Sequence, residues 1–267
     1  MSAAPLTYTV EAYNTAKAHE NKIHDDAVAR SLGFAGGLVP GVEVYGYMTH
    51  LPVARWGRAW LERGMAECRF TRPIYEGDIV AVRATETAER LELVVESRGI
   101  ACAGGWAALT PAPTTPPAIA GFRRVPERAF RPAADDISLA PDTWLGIEPV
   151  QVTPELAAEY IAGVRETATL YADAGLVHPV TVLRLCNLAL TRNVVLGPWI
   201  HVGSTVQNLA AARFGDALGI RARVSANYQR KGHRFLELDA LVLANDVTPI
   251  ARISHVAIYR PRQLEAR

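Results

Sequence analysis

The same order of hydrophobic patterns occurs twice along the chain. In the first half, an alternating segment at residues 7–10 predicts a strand, and apolar residues at helical spacing predict a helix from about residue 39 to residue 61. Four apolar segments then predict strands over roughly residues 65–74, 79–87, 90–98 and 101–109. The second half repeats this order, with a helix over about residues 180–194 and strands near residues 200–210, 218–229, 233–244 and 249–259.

Short stretches of sequence also recur at a nearly constant spacing. Residues 37–40 (Gly-Leu-Val-Pro) return as residues 175–178 (Gly-Leu-Val-His), and the Gly-Asp pair at 77–78 returns at 215–216, both at an offset of 138. A Trp at residue 60 with a Gly at residue 64 returns at 199 and 203, at an offset of 139. Three matches in order indicate two copies of one structural unit.

Residues 111–150 separate the two copies and hold 8 of the 17 prolines. A segment so rich in proline forms neither a regular helix nor a central strand, so we expect a long ordered crossover. The predicted organisation is therefore an N-terminal half over residues 1–110, a crossover over 111–150 and a C-terminal half over 151–267. An apolar helix in each half can cover the apolar face of an antiparallel sheet, which predicts an α+β architecture.

Composition and charge exclude several classes of protein. Of 267 residues, 49% are hydrophobic and 21% charged, with a formal net charge of +1, which is ordinary for a soluble globular protein and favours neither nucleic acid nor a membrane as partner. No apolar run approaches the roughly 20 residues of a membrane span. The first five residues lack the pattern of a signal peptide, so we expect a cytoplasmic protein. Cys68, Cys102 and Cys186 are too far apart to indicate a thiolate metal site.

One polar cluster precedes the first apolar helix. His19, Asn21 and His24 fall within six residues, and a glycine-rich stretch at residues 33–41 follows and leads into the helix. Imidazoles transfer protons near neutral pH, and the free N–H groups of a helix N-terminus can polarise a carbonyl. The cluster therefore predicts acid–base chemistry beside an activated acyl group.

The cluster and the order of elements resemble a known family. The element order is similar to the doubled hotdog fold, in which two antiparallel sheets each wrap around a long central helix. Residues 19–24 (His-Glu-Asn-Lys-Ile-His), 34–37 (Phe-Ala-Gly-Gly) and 39–41 (Val-Pro-Gly) resemble the MaoC-like enoyl-thioester hydratases, whose signature is Asp-x-Asn-Pro-x-His followed by Phe-Gly-Gly and Ala-His-Gly.

The resemblance implies a site and a substrate class. His24 is then the general acid/base, Asn21 the amide that orients water or substrate, and the N–H of Gly41 the donor to the thioester oxygen. The implied reaction is hydration or dehydration at the α,β double bond of an acyl thioester presented by coenzyme A or a carrier protein. No metal or redox cofactor is implied, and we expect a homodimer or a higher homo-oligomer.

Three residues depart from the signature. His19 stands in place of the aspartate, Lys22 in place of the proline, and Pro40 in place of the histidine before the glycine. A second imidazole holds the first one poorly, and two close imidazoles resist joint protonation. We therefore expect the fold and acyl-thioester binding, with His19 as an unusual partner of His24. The nature of the addition or elimination stays open.

The second copy lacks the cluster, because the same offset leads to Ala157, Glu159 and Ala162. We thus expect one active site, built mainly on the first half, with the second half shaping the acyl pocket and completing the oligomer. His255 is expected to be a core or interface histidine. The other expected substrate contacts are Gly37, Pro40, Tyr45 and His178. A basic turn could contact a phosphate of coenzyme A through Arg230, Lys231 and Arg234.

Other functions fit the same pattern. A hotdog thioesterase needs a carboxylate on the central helix, for which Glu43 is the candidate. A non-catalytic acyl-binding or assembly subunit would bind a thioester without turnover. A related addition or isomerisation enzyme would act at the same double bond.

Overall fold

The computed structural model describes residues 6–264. Residues 1–5, on which the expectation of no signal peptide rested, lie outside the described residues. The helices are α1 Asp26–Ser31, α2 Gly41–Trp56, α3 Arg58–Arg63, α4 Pro154–Gly163, α5 Leu170–Ala174 and α6 Pro179–Thr191. The strands are β1 Leu6–Glu11, β2 Gly64–Phe70, β3 Ile79–Glu86, β4 Leu91–Ser97, β5 Ile100–Leu109, β6 Trp144–Gly146, β7 Val150–Gln151, β8 Ile200–Asn208, β9 Ala217–Arg230, β10 His233–Ala244 and β11 Thr248–Arg260.

The strands form one continuous antiparallel sheet in the order β1-β3-β4-β5-β2-β8-β11-β10-β9-β6, with β7 also paired to β9. Helix α2 packs against the first-half strands, α6 packs against the second-half strands, and the two helices contact each other. This arrangement confirms the predicted α+β double hotdog. The two sheets join into one, because β2 and β8 pair edge to edge with Cys68 opposite Ser204.

The 138-residue repeat is also present in the backbone hydrogen bonds. The bridge between Leu38 and Tyr75 has its counterpart between Leu176 and Arg213. Likewise, the carboxylates of Asp78 and Asp216 each accept a backbone N–H three residues earlier, from Tyr75 and Arg213. In both halves, therefore, the segment that leads into the central helix pairs with an equivalent turn, which precedes β3 in the first half and β9 in the second.

The helix predicted to run to residue 61 ends earlier, which corrects that prediction. Gly57 follows α2 with φ +59°, a conformation that interrupts the helix and that glycine adopts without strain. The chain then starts the separate short helix α3, which buries Trp60 and Leu61 against the core. Hydrophobic spacing continues across Gly57, which is why periodicity alone extends α2 too far.

The proline-rich crossover runs along the second half. It is irregular except for a 3₁₀ turn at Ile119–Gly121, the short edge strand β6 on β9 and, at its end, the first residue of β7. Among residues 6–264, no helix is long and apolar enough to cross a membrane. Cys68, Cys102 and Cys186 are free and buried.

Candidate functional site

Two cavities meet beside the start of α2. A wide cleft of about 1290 Å³ lies between the N-terminal segment of the first half and α4 and α6 of the second. A smaller cavity of about 240 Å³, called the tunnel below, adjoins it and is lined mainly by apolar side chains including Phe34, Val44, Phe70 and Ile74. The residues that line both cavities are Asn21, His24, Pro40, Asn187 and Trp199. His24 thus stands where a polar entrance joins an apolar interior.

The local sequence holds His24 at this junction. Asn21 begins a 3₁₀ turn over Lys22–His24, and Asp25 then caps α1 by accepting the N–H of Val28 at 3.0 Å. Gly37 passes so close that an added Cβ would lie 2.2 Å from the His24 carbonyl oxygen. Only glycine fits there, and its N–H donates to Asp26 Oδ1 at 2.7 Å. Gly37 therefore supports the site through the backbone.

The amide of Asn21 is fixed by four contacts. Its Oδ1 accepts the N–H groups of Ile23 at 3.3 Å and Trp199 at 3.2 Å. Its Nδ2 donates to the Trp199 carbonyl at 3.0 Å and faces His24 Nε2 at 3.2 Å. Because the backbone groups dictate which end of the amide is oxygen, a donor must point at Nε2, and Nε2 must accept.

The remaining ring nitrogen of His24 completes the tautomer. Nδ1 lies 2.7 Å from the carbonyl oxygen of Leu38 and must carry the proton. Burial lowers the pKa of His24 to about 4; the Leu38 carbonyl opposes this shift, and His19 adds to it. At neutral pH His24 is therefore an uncharged base with its lone pair on Nε2.

His19 lines the wide cleft but stands apart from His24. Its side chain is exposed, and no hydrogen bond within the described residues joins the two imidazoles. The neighbouring Glu20 pairs with Arg131 at 2.9 Å and is also exposed. The structure thus places no carboxylate in hydrogen-bond contact with His24 among residues 6–264.

The N-terminus of α2 is open. Pro40 precedes the helix without a side-chain cap, and no hydrogen bond in the described part of the chain uses the N–H of Gly41 or Val42. Gly41 lines the tunnel and Val42 the cleft. Unpaired amides at a helix N-terminus favour negative charge, so this end can hold a carbonyl that becomes an oxyanion.

The corresponding end of α6 is closed. At the offset of 138, Pro179 replaces Gly41 and has no N–H, while the N–H of Val180 donates to His178 Nδ1 at 3.1 Å. Burial lowers the pKa of His178, which lines neither cavity. Within the described chain, only the first of the two central helices therefore presents free N–H groups to a cavity. The difference follows from the matched residues Gly41 and Pro179 and from the cap by His178.

His178 belongs to a buried cluster between the halves. Glu166 accepts from His50 Nδ1 at 2.8 Å and lies 3.6 Å from His178 Nε2. Burial opposes ionisation of Glu166, but the contacts with His178, His50 and the Ala168 N–H outweigh it and hold its pKa below the ordinary value. Tyr45 is likewise buried and lines neither cavity.

Glu43 joins α2 to α6. Its Oε1 accepts the hydroxyl of Thr15 at 2.7 Å and pairs with the guanidinium of Arg184, which lies 4.4 Å from the ring centroid of Tyr160. Oε2 is buried without a hydrogen-bond partner within the described residues. The carboxylate that the thioesterase hypothesis requires is thus engaged in an ion pair between the halves.

The structure does not bring the basic turn to the site. Arg230, Lys231 and Arg234 lie at the β9–β10 hairpin and line neither cavity, and Arg234 pairs with Asp136 at 2.9 Å. The structure brings other basic side chains to the site instead. The wide cleft is lined by Arg128, Arg131, Arg165, Arg184 and Arg192. They come from separate parts of the crossover and the second half, so no local motif indicates them.

Two further polar residues line the site from the second half. Asn187 of α6 lies at the junction, and its Oδ1 is buried without a partner in the described chain. His201 lines the tunnel, and its Nδ1 is also buried without a hydrogen-bond partner there. Sequence reasoning missed both, because each stands alone among apolar neighbours in the sequence. Only the packing of the two halves brings them to the site.

Comparisons with known proteins agree on the fold. Rv0216 of Mycobacterium tuberculosis, described as having a double hotdog fold, is 16% identical over 97% of this chain and 96% of that chain, with a TM-score of 0.67. A protein described as a MaoC domain dehydratase from Chloroflexus aurantiacus J-10-fl is 10% identical over 98% and 96%, with a TM-score of 0.62. A MaoC-like dehydratase is 13% identical over 96% and 98%, with a TM-score of 0.53.

The sequence itself matches no protein-family model and no curated protein. At 10–16% identity, the structural likeness establishes the double hotdog fold, shared with proteins described as MaoC-like dehydratases.

Proposed function

We propose that the protein is a hydratase or dehydratase acting at the α,β double bond of an acyl thioester. The observation that carries this proposal is the place of His24: its neutral imidazole stands at the junction of cleft and tunnel, beside the open N-terminus of α2. A base and an oxyanion site next to an apolar tunnel are the parts that addition of water to an enoyl thioester requires.

In this mechanism His24 moves one proton. When substrate and water bind, the water replaces the Asn21 amide at Nε2, whose single lone pair is then free. The water oxygen bonds to Cβ of the enoyl group while Nε2 takes a proton from that water, and the double-bond electrons move onto the thioester carbonyl oxygen. The resulting imidazolium returns a proton to Cα as the enolate collapses. Because the pKa of His24 is about 4, the resting ring is unprotonated at neutral pH; it is a weak base, and its conjugate acid gives the proton to Cα readily.

The free N–H groups of Gly41 and Val42 supply the other half of the chemistry. They stand at the positive end of the α2 dipole, where negative charge on the carbonyl oxygen is stabilised as the enolate forms. Amides held by a helix need no reorganisation at that moment, and one such donor contributes roughly 10²–10³-fold in rate.

Asn187 is proposed to take over part of the role of the missing carboxylate. Its buried Oδ1 accepts no hydrogen bond within the described residues, and it lines the same junction as His24. An amide oxygen can accept one proton of a water whose other proton faces His24 Nε2. This arrangement orients the water without adding a charge.

The two cavities divide the substrate. We assign the apolar tunnel to the acyl chain and the arginine-lined cleft to the carrier, because guanidinium groups suit the phosphates of coenzyme A or of a carrier protein's pantetheine arm. No metal or redox cofactor enters this scheme.

The test is a panel of trans-2-enoyl thioesters of coenzyme A and of N-acetylcysteamine, followed by loss of the conjugated enoyl absorbance and by mass change in ¹⁸O-labelled water. We expect one ¹⁸O atom in the product and loss of activity of roughly 10²-fold or more in His24→Gln, which keeps a polar side chain but cannot act as the base. Glu159→Gln, on α4 at the same cleft, serves as the control and should keep the activity of the parent.

Two outcomes would contradict the proposal. Thioester binding without addition or loss of water across the panel would leave an acyl-binding subunit. Release of free thiol without hydration would indicate a thioesterase. In either case His24→Gln would behave like the parent protein toward the double bond.

A further inference from the structure

A buried relay of three side chains ends at the tunnel. His201 Nε2 lies 2.8 Å from Ser204 Oγ, which lies 3.0 Å from Nδ1 of His255, and the two imidazoles stack with centroids 4.2 Å apart. His201 is 6% exposed and His255 is fully buried. The free end of the relay is Nδ1 of His201, which has no partner among the described residues.

A β-bulge makes this relay. Side chains three residues apart normally face opposite sides of a strand. In β8, however, Gly203 pairs with Val256 and His201 pairs with Ala257, so that Val202 is the extra residue. The bulge turns His201 to the face of Ser204, and Ser204 lies directly opposite His255 on β11.

The direction of the serine hydroxyl proton determines whether Nδ1 of His201 is a hydrogen-bond donor or an acceptor. Ser204 has one hydroxyl proton, so it donates to one imidazole and accepts from the other. If His255 Nδ1–H donates to Ser204, then Ser204 donates to His201 Nε2, and Nδ1 of His201 carries a proton. Each order leaves one buried N–H unpaired, at Nδ1 of His201 in this order and at Nε2 of His255 in the reverse. His201 lines the tunnel and His255 lines neither cavity, so a bound acceptor can pair with the N–H only in the first order.

The free nitrogen lies against the helix terminus. An ideal Cβ on Gly41 would stand 2.9 Å from His201 Nδ1, so the imidazole packs directly on the α carbon of Gly41. Burial lowers the pKa of His201 well below its ordinary value; His255 adds to this shift and the backbone of Gly203 opposes it. The ring is therefore a neutral donor beside the free amide of Gly41.

We propose that His201, contributed by the second half, is a further catalytic residue whose Nδ1–H donates to the thioester carbonyl oxygen together with the Gly41 N–H, with Ser204 and His255 as positioning residues. This inference rests on the proposed function for its substrate. It explains why a neutral histidine with an unmet hydrogen bond lines a mainly apolar tunnel beside the free amide of Gly41.

The experiment uses saturated acyl-coenzyme A thioesters carrying ¹³C at the carbonyl, which bind without turnover. Isotope-edited infrared spectra of the bound carbonyl are compared for the parent, His201→Phe, His201→Asn and Ser204→Ala. We expect the parent band at the lowest frequency, His201→Phe nearest to the free thioester, and His201→Asn and Ser204→Ala in between. Thr205→Val, on the same strand, serves as the control.

Hydration kinetics provide the second readout. We expect His201→Phe to lower kcat roughly 10²-fold with little change in KM, and His201→Asn, which keeps an N–H, to recover part of the loss. Equal carbonyl bands in the parent and His201→Phe overturn the inference even if hydration proceeds. A shifted band without any turnover overturns only the hydratase proposal, and a parent that binds no member of the panel overturns both.

Discussion

Asn21 and Trp199 hold each other through two hydrogen bonds, from the Trp199 N–H to Oδ1 at 3.2 Å and from Nδ2 to the Trp199 carbonyl at 3.0 Å. The pair links the N-terminal segment of the first half to the start of β8 in the second. It also sets the tautomer of His24, because the same Nδ2 faces His24 Nε2. The orientation of the candidate base thus depends on contact between residues 178 positions apart.

Asn21→Asp should change both the charge state of His24 and the stability. A carboxylate cannot donate to the Trp199 carbonyl, and leaving that buried group unpaired costs about 1–3 kcal/mol. The new negative charge should also raise the pKa of His24 from about 4 toward its ordinary value. Urea unfolding and NMR titration of the His24 ring measure the two effects. Asn227→Asp, where the amide donates to the carbonyl of Leu139 at 3.0 Å, is the matched control and should leave the His24 pKa unchanged.

Substitutions at His19 should move the His24 pKa in a fixed order. His19 lowers that pKa through its charge, so His19→Ala should raise it slightly and His19→Asp should raise it more. NMR titration of the His24 ring measures the order directly. If hydration limits the rate, His19→Asp should also be the faster enzyme near neutral pH. An unchanged pKa in His19→Asp would show that the exposed side chain is too distant to act on His24.

Gly41→Ala should damage the site although alanine is the better helix former. The new methyl group would stand 2.9 Å from His201 Nδ1 and 3.0 Å from a ring carbon of Phe70, in the place assigned to the thioester carbonyl. We expect weaker thioester binding, measured by calorimetry, with the fold retained by circular dichroism. Gly121→Ala, where an added Cβ meets nothing within 4 Å, should bind like the parent.

The repeat and the fold could be predicted because they depend on local patterns. Residues 37–40 and 175–178 recur since both halves need the same turn into a central helix, and the strands follow alternation along the chain. The cluster of Asn21 and His24 was also visible, because its members are close in sequence and the 3₁₀ turn brings them together.

The rest of the site depends on contacts between residues far apart in the chain, which spacing along the sequence cannot predict. His201 faces the tunnel only because Val202 is the extra residue of a bulge, which reverses the inward and outward alternation of β8. Glu43 pairs with Arg184 across 141 positions, where α2 meets α6. The basic turn around Arg230 looked suited to phosphate by composition alone, yet the β9–β10 hairpin carries it away from both cavities.

Stability should fall on mild acidification, because buried imidazoles must be protonated. Burial lowers the pKa of His24 to about 4 and that of His255 to about 3, against about 6.5 in the unfolded chain. Above about pH 6.5 both imidazoles are neutral in the folded and in the unfolded chain, and their burial costs no stability through protonation. As the pH falls from there toward the folded pKa values, the unfolded chain takes up protons first and the free energy of unfolding decreases. At about pH 5 each costs about 2 kcal/mol, which urea unfolding at about pH 7.5 and 5 can measure. In His255→Asn, the loss of unfolding free energy between the two pH values should be smaller by that amount. A loss equal to that of the parent would contradict the assignment.

Glu43→Gln distinguishes a structural ion pair from a thioesterase carboxylate. Glu43 is buried and Arg184 nearly so, and removing one partner of such a pair leaves a charge without compensation, at a cost of about 3 kcal/mol or more. We expect a large loss of unfolding free energy in Glu43→Gln and in Arg184→Gln, and a smaller loss in the double variant than the two losses combined. This double-mutant cycle in urea measures the coupling directly. Because Glu43 touches no reacting atom in the proposed mechanism, enoyl hydration by the folded fraction of Glu43→Gln should stay close to that of the parent. Arg184→Gln removes a guanidinium from the cleft assigned to the carrier and therefore serves for the stability measurement only. Selective loss of thiol release in a Glu43→Gln protein of unchanged stability would instead assign Glu43 to catalysis and favour acyl hydrolysis.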